Sequence, residues 1–581
     1  MKSLLSLKKY FARHKRKLLW GIVFILLSNI TQVYVPIFLK DGIDGLQSNI
    51  SHSEILYYAL LIVGAALLSG FFRFLIRQTI IVVSREIEYD LRQDFWSHLQ
   101  NLSLRYYQNT STGDLMAHAT NDISAVRMFV GPAVMYSIDT STKMIMIIAI
   151  ITTFDWQLTI AALLPLPFLS YMVYKLSKKI HIKFEKIQEK FSELTTKAQE
   201  SFSGIRVIKS YLREESEIKL FEKLSKDYLD KTMDKVKVQA WFAPLLFMIT
   251  GLSIIIAIWF GGMKVIEQSL TLGELSAFIV YLGLLIWPVI AFGWVLNIIQ
   301  QSSASMKRLN VIMSVKKEIS DSEETDYFVK EIKGTVEFKN VSFRYGENLP
   351  VVLDKINIKI DQGDTVAFIG KTGVGKTTLL NLIPRLYDVT EGEVLIDGKN
   401  VKTIPVDVIR SSVGLVPQET FLFSDTLENN ILYGVKEKDE SILERVADIS
   451  EIKKDVDDFP KKYQTILGER GLTLSGGQKQ RTCLARALAV NPKILILDDS
   501  FSAVDTHTEE EILRKLKNFM ENRTSIIVSH RISTVKDSDK IFVIDNGKIA
   551  EEGTHEELIE LNGIYADIHQ RQLLEEELKQ I

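Results

Sequence analysis

At 581 residues the chain has length for roughly three or four ordinary domains. Its 70 Lys+Arg nearly cancel its 72 Asp+Glu, so no basic surplus points to a nucleic-acid partner. A single cysteine, Cys483, excludes an intramolecular disulfide, fits a reducing compartment and reads as a small core hydrophobe.

The 46% of hydrophobic residues are unevenly spread: residues 1–300 carry long apolar runs, and residues 330–581 read as a soluble α/β domain. Runs of spanning length recur at Leu18–Leu39, Ile55–Phe72, Met128–Phe154, Leu158–Tyr174, Trp241–Phe260 and Leu275–Ile299. A span needs about 20 mostly apolar residues, so six membrane helices are expected. Lys2, Lys8, Lys9, Arg13, Lys15, Arg16 and Lys17 precede the first run, and only Lys40 follows it before Glu54. That asymmetry predicts a cytoplasmic N-terminus, and six spans return the C-terminal half to the same side. No small-residue cleavage pattern follows the first run, which is therefore read as a retained anchor.

Outer connections are expected to be short, at Asp155–Gln157 and from Gly261-Gly262 into Leu272. The inner ones, Arg73–Arg127 and Lys175–Ala240, are long and of helix-forming composition. As a helix, Arg73–Gln100 would reach about 42 Å into the cytoplasm. Turns are expected near Asn109–Gly113 and around Gly204, as docking points for a soluble domain. Asp139 and Lys143 stand at i,i+4 at membrane depth, either as a functional site or as a mutually neutralising pair. Trp20, Tyr34, Trp241, Trp259, Trp287 and Trp294 are candidates to line an amphiphile cavity or to anchor at the interface.

The charged stretch from Lys317 lacks apolar periodicity and is read as a linker over residues 317–333. Beyond it, strand Thr365–Ile369 leads into Gly370-Lys371-Thr372-Gly373-Val374-Gly375-Lys376-Thr377-Thr378, followed by an apolar helix. This is a phosphate-binding loop in its required context. Lys376 is expected on the β/γ-phosphates and the Thr377 hydroxyl on Mg²⁺. Strand Ile494–Leu497 ends on Asp498, in the metal-side acidic role, and on Asp499, placed to polarise water. Gln418 follows an apolar strand and is expected to reach Mg²⁺ and the water. His530 ends another strand, Ser525–Val528, where it would meet a γ-phosphate.

The stretch Leu474-Ser475-Gly476-Gly477-Gln478 opens a helical pattern with a glycine pair. With the loop, the acids and six spans, it resembles an ABC transporter half of the type I exporter arrangement, over essentially the whole chain. The resemblance implies an α-helical six-span transmembrane domain (residues 1–316) and a cytoplasmic α/β P-loop NTPase domain of ABC type (residues 334–581). It implies that Tyr345 stacks on the adenine of ATP and that Gln418 belongs to the Q-loop. Leu467–Gly471 would form the exporter segment before the signature, Ser502–Asp505 the D-loop, and His530 the switch histidine. Leu474–Gln478 would complete an ATP site on a second half-transporter, and Asp499 would be the catalytic acid.

Most members carry Glu where this chain has Asp499. Aspartate is one methylene shorter and retracts the carboxylate by roughly 1.5 Å. A misplacement near 1 Å can cost about 100-fold in rate. The resemblance therefore narrows to one subunit of a heterodimeric multidrug exporter, like the bacterial Mdl-type halves, with a weakened ATP site of its own. It would be a multi-pass protein of the cell membrane, among membrane lipids, moving amphiphilic compounds outward. A homodimer, a lipid or glycolipid flippase and a regulatory subunit are the alternatives.

Overall fold

A computed structural model describes residues 2–48, 50–468, 471 and 473–580, with side chains undescribed for Lys2, Ser170 and residues 575–580. The chain divides into two compact units: Met1–Gln100 with Thr112–Val315, and Asn101–Ser111 with Lys316–Ile581.

Among the described residues of the first unit, six helices are long and apolar enough to cross a membrane. They are α1 (Lys15–Gln47), α2 (His52–Gln100), α3 (Thr112–Phe154), α4 (Trp156–Ser203), α5 (Glu214–Ile266) and α6 (Leu272–Met313). Each carries an apolar window continued by a polar helical extension or turn, so one element outruns the run that announces it in sequence. Three π-helical turns interrupt them, at Arg77–Ile81, His118–Asp122 and Phe129–Ala133. Periodicity alone does not announce these.

Polar contacts fasten the helix ends. Asp155 caps the start of α4 by accepting from the Leu158 N–H at 2.7 Å, and it pairs with Lys264 of α5. Asp44 of α1 accepts from Thr271 Oγ1 at 2.7 Å and from the Gly273 N–H at 2.8 Å. The N-terminal cations are paired as well: Lys9 with Asp94, Arg13 with Asp90 and Lys17 with Glu86.

The outer connection expected from Gly261-Gly262 into Leu272 is shorter than that. Helix α5 runs through both glycines to Ile266, and the connection is Glu267–Thr271. A glycine in a helix interior costs about 1 kcal/mol relative to alanine. Gly261 is offset by packing: a Cβ there would stand 2.5 Å from Leu275 Cδ1 of α6. The true turn is set by Gln268 at φ +59° and by a capping box between Thr271 and Glu274.

The second unit holds two sheets. The four-stranded sheet orders β2-β1-β4-β5, from β1 (Val336–Phe343), β2 (Leu353–Ile360), β4 (Glu391–Ile396) and β5 (Lys399–Asn400). The six-stranded sheet orders β10-β9-β3-β8-β7-β6. Its strands are β3 (Thr365–Ile369), β6 (Val413–Val416), β7 (Ile494–Asp498), β8 (Thr524–Val528), β9 (Lys540–Asp545) and β10 (Lys548–Gly553). Strands β3, β8 and β7 are parallel neighbours, with Phe368 opposite Val528 and Val528 opposite Asp498. All three are almost wholly buried, as strands covered on both faces must be. Their carboxyl ends therefore emerge side by side, where a parallel sheet presents ligands.

Candidate functional site

Strand β3 passes through Gly370–Gly375 into helix α7 (Lys376–Leu382). Gly370 and Gly375 have φ of +155° and +105°. A Cβ at Gly370 would stand 2.3 Å from the Ile544 carbonyl oxygen, and one at Gly375 would stand 2.8 Å from Leu353 Cδ2. Only glycine closes this turn. Lys371, Thr372 and Gly373 are exposed at its tip, Val374 is half-buried and Thr378 is buried beneath it.

Lys376 is 7% exposed, and its Nζ donates to the carbonyls of Gly370 at 2.7 Å and Lys371 at 2.8 Å. Burial holds its ammonium below the usual lysine range, against the attraction of Asp498 and Asp499. A buried cation whose hydrogen-bond acceptors are neutral carbonyls has capacity for an anion. The loop therefore fits a polyphosphate.

Asp498 is 3% exposed at the end of β7. Burial lifts its carboxyl above the usual carboxylate range; Asp499 adds to this, while the Thr377 hydroxyl, Lys376 and His530 oppose it. One carboxylate thus has Lys376, Thr377, Asp499 and His530 as neighbours. A hydroxyl and a carboxylate are hard oxygen donors of the kind Mg²⁺ takes, so Thr377 and Asp498 fit that ion. Asp499 adopts φ +47°, with its N–H on the Val528 carbonyl at 2.8 Å. Gln418 Nε2 lies 3.4 Å from Asp499 Oδ2, so its amide faces the acid. Tyr345 shares a 2.9 Å hydrogen bond with Thr378 Oγ1 and packs edge-on against Phe343 and Tyr387.

The sequence did not single out Gln572. It lies on the C-terminal helix α10 (Ile564–Gln580), with α8 (Gly476–Ala489) and α9 (Thr506–Met520) before it in the chain. Its Nε2 donates to the His530 carbonyl, and its Oε1 accepts from the Ile532 N–H at 2.9 Å. The start of α10 is itself tied to β10, through N–H groups of Ile564 and Tyr565 on the Glu551 carboxylate. Nothing in a polar terminal helix marks one glutamine over another.

Ser475 caps α8 in a capping box with Gln478, whose Nε2 also donates to Asp455 Oδ1 at 2.8 Å. Leu474 is buried, Ser475 and Gly476 are exposed, and a Cβ at Gly477 would stand 2.9 Å from the Ala503 carbonyl oxygen. Gln480, also missed from sequence, joins α8 to the loop after β7: its Nε2 donates to Ser502 Oγ and its Oε1 accepts from the Ala503 N–H, both at 2.9 Å. The hydrogen bonds of Ser475 and Gln478 stay within α8 and Asp455 and do not reach the P-loop. Glu469 and Arg470, expected in the segment before the signature, lie outside the described residues.

The membrane unit contains a cavity of about 1210 Å³, whose walls include Met144, Tyr174, Phe184 and Phe292. A second, of about 510 Å³, has Trp287, Asp139 and Lys143 in its wall. Of the aromatics expected at a cavity, Trp20, Tyr34, Trp241 and Trp259 line neither and stand exposed on the unit's surface. Trp294 stacks edge-on with Tyr136, which itself lines the smaller cavity. Asp139 and Lys143 do pair, at 3.6 Å.

The family described as ABC transporter transmembrane region matches residues 18–289, and the family described as ABC transporter matches residues 353–502. A probable multidrug resistance ABC transporter ATP-binding/permease protein, YheI of Bacillus subtilis, is 36% identical over 95% of both chains. The multidrug resistance-like ATP-binding protein MdlA of Escherichia coli is 34% identical over 99% of this chain and 97% of its own. An ATP-dependent lipid A-core flippase of Desulfotalea psychrophila is 35% identical over 84% of this chain and 85% of its own. Among solved structures, a bacterial Atm1-family ABC exporter with ATP bound superposes with a TM-score of 0.80 at 28% identity, covering 97% and 99% of the two chains. Six spans, a P-loop domain on the same chain and these end-to-end matches give one answer: this protein belongs to the ABC transporters, as a multi-pass exporter half fused to its nucleotide-binding domain.

Proposed function

We propose that this chain is one half of a heterodimeric exporter that drives amphiphilic or xenobiotic compounds outward from the cytoplasm or inner leaflet. Residues 1–316 form its membrane domain, 317–333 a linker and 334–581 its nucleotide-binding domain, with both termini cytoplasmic. The observation that carries the reading is the pairing of an intact, capped signature at Ser475 with an aspartate at position 499. Residues Gly370–Thr378 take the phosphates of ATP and Tyr345 stacks on its adenine. Thr377, Gln418 and Asp498 hold Mg²⁺, whose charge offsets that of the phosphates. Asp499 orients the attacking water from a carboxylate set too far back, and His530 meets the γ-phosphate. Leu474–Gln478 completes the ATP site of the partner, which carries the longer acid. ATP draws the two nucleotide-binding domains together, and the turns at Asn109–Gly113 and Gly204 relay that closure to the spans.

The test is to purify the chain alone in lipid and then with a Glu-bearing partner half. Weak ATPase alone and brisk, substrate-stimulated turnover together are expected; vigorous turnover by the chain alone would sink the weakened-site reading. The flippase match keeps a second reading open, a homodimer or heterodimer moving a lipid or glycolipid. Movement of a labelled lipid between leaflets tests it in the same vesicles.

A further inference from the structure

The two membrane cavities lie against different faces of α3 and α6: Asp139 and Trp287 line the smaller, their sequence neighbours Thr140 and Pro288 line the larger, and the two linings share no residue. The smaller gathers Arg73 and Arg77 from α2 and Lys143 from α3, against one acid, Asp139. That acid is already engaged by Lys143, which is 6% exposed. Arg73 donates through Nη2 to the neutral Gln32 Oε1 at 3.1 Å. Both guanidiniums are therefore left without an acid of their own in this lining. The larger cavity adds Lys178 and His181 from α4, and no acid lines it. Glu185, 3.5 Å from His181 Nε2, lies outside that lining.

Basic residues collect at the inner ends of spans in any multi-pass protein. That rule accounts for the sign of these charges but not for their gathering on cavity walls around one neutralised acid. Arg77 also opens a π-helical turn, a geometry frequent at functional sites. A cationic amphiphile entering here would meet two guanidiniums with no acid beside them, and an anionic one would neutralise them.

We propose that the smaller cavity receives an anionic amphiphile. Its phosphate or carboxylate headgroup is held by Arg73 and Arg77, and its apolar part lies along Ile25, Phe74 and Trp287 of the same lining. The proposal rests on the export reading above and names its substrate class.

The experiment uses the full-length protein, in the assembly in which it is isolated, reconstituted in liposomes. Chain-matched dodecyl phosphate and dodecyltrimethylammonium are compared for ATPase stimulation and ATP-driven uptake. Dodecyl phosphate is expected to act at a concentration at least about tenfold lower than the cation. Arg73→Gln with Arg77→Gln should erase that preference, and Lys at both positions should restore it. Equal or better action by the cation, or an unchanged preference in the double Gln variant, overturns the proposal. Native mass spectrometry in phosphatidylglycerol and phosphatidylcholine separates two sources of the same headgroup chemistry. Retained phosphatidylglycerol without ATP-driven movement assigns the site to a resident lipid, and uptake of dodecyl phosphate assigns it to cargo. Transport of the cation alone refutes the charge assignment and leaves export standing. No movement of either probe, with no retained anionic lipid, refutes both.

Discussion

Gln418 points its side-chain amide at Asp499, with Nε2 3.4 Å from Oδ2. Asp499 in turn is fixed by its main chain, with φ +47° and its N–H on Val528. The carboxylate therefore has little freedom to advance, and side-chain length decides how far it reaches. Asp499→Glu is expected to raise the rate of hydrolysis at this P-loop by about tenfold to 100-fold, with ATP affinity little changed. Single-turnover ATPase measurements check this. An unchanged rate would place the catalytic acid elsewhere.

Ser475 caps α8, and under the proposed function its hydroxyl also faces a partner's nucleotide. Ser475→Asp keeps a good N-cap, so the melting temperature should hold. It also places a negative charge against the partner's γ-phosphate, so turnover of the assembled transporter should fall by about 100-fold. Ser475→Ala adds a loss of roughly 1 kcal/mol in helix stability. Intact turnover with the Asp variant would contradict a composite site.

Asp498 gives a pH signature. Its folded carboxyl titrates above the usual range because it is buried, even with Lys376 beside it. The ionised form is thus disfavoured by folding, and the stability associated with the neutral form is lost as pH rises through the folded value. Asp498→Asn should therefore melt higher than the parent in nucleotide-free protein near about pH 8, with the margin closing as pH falls into the carboxylate range. The same variant should lose Mg²⁺-dependent hydrolysis. Thermal unfolding across pH checks the first point, and a margin that widens toward acid would refute it.

Gln572 holds both main-chain groups that flank the turn after His530. As a positioning residue, it should affect turnover more than binding. Gln572→Ala is expected to lower kcat by about tenfold with KM for ATP within a factor of about two. Gln572→Glu keeps an acceptor for the Ile532 N–H but loses the donor, and should be equally impaired. A rise in KM alone would mean the contact is merely structural.

The P-loop, the acids and the spans were legible because each follows from a periodicity or a spacing that few other structures share. Gly370 sits where the Ile544 carbonyl forbids a Cβ and Gly375 where φ is +105°, and the spacing of the loop marks both positions. Gly261-Gly262 misled as the start of the connection, because a glycine can sit within a helix when another helix presses against it, as α6 does at Gly261. Gln480 and Gln572 were invisible for a different reason. Each acts through main-chain or loop atoms far away in sequence, and a lone glutamine carries no spacing signal.

The segment Asn101–Ser111 belongs to the second unit although the chain reaches it between α2 and α3. Within that unit Arg105 and Gln108 lie beside Tyr387, whose phenol burial pushes up to about 12, and Arg105 stands 3.8 Å from Glu318. The soluble half is therefore not a contiguous stretch of gene. A truncated protein starting at Lys316 would bare Tyr387 to water, so its solubility and nucleotide affinity would describe an incomplete object. Supplying Asn101–Ser111 in trans as a synthetic peptide is the simplest way to make it whole.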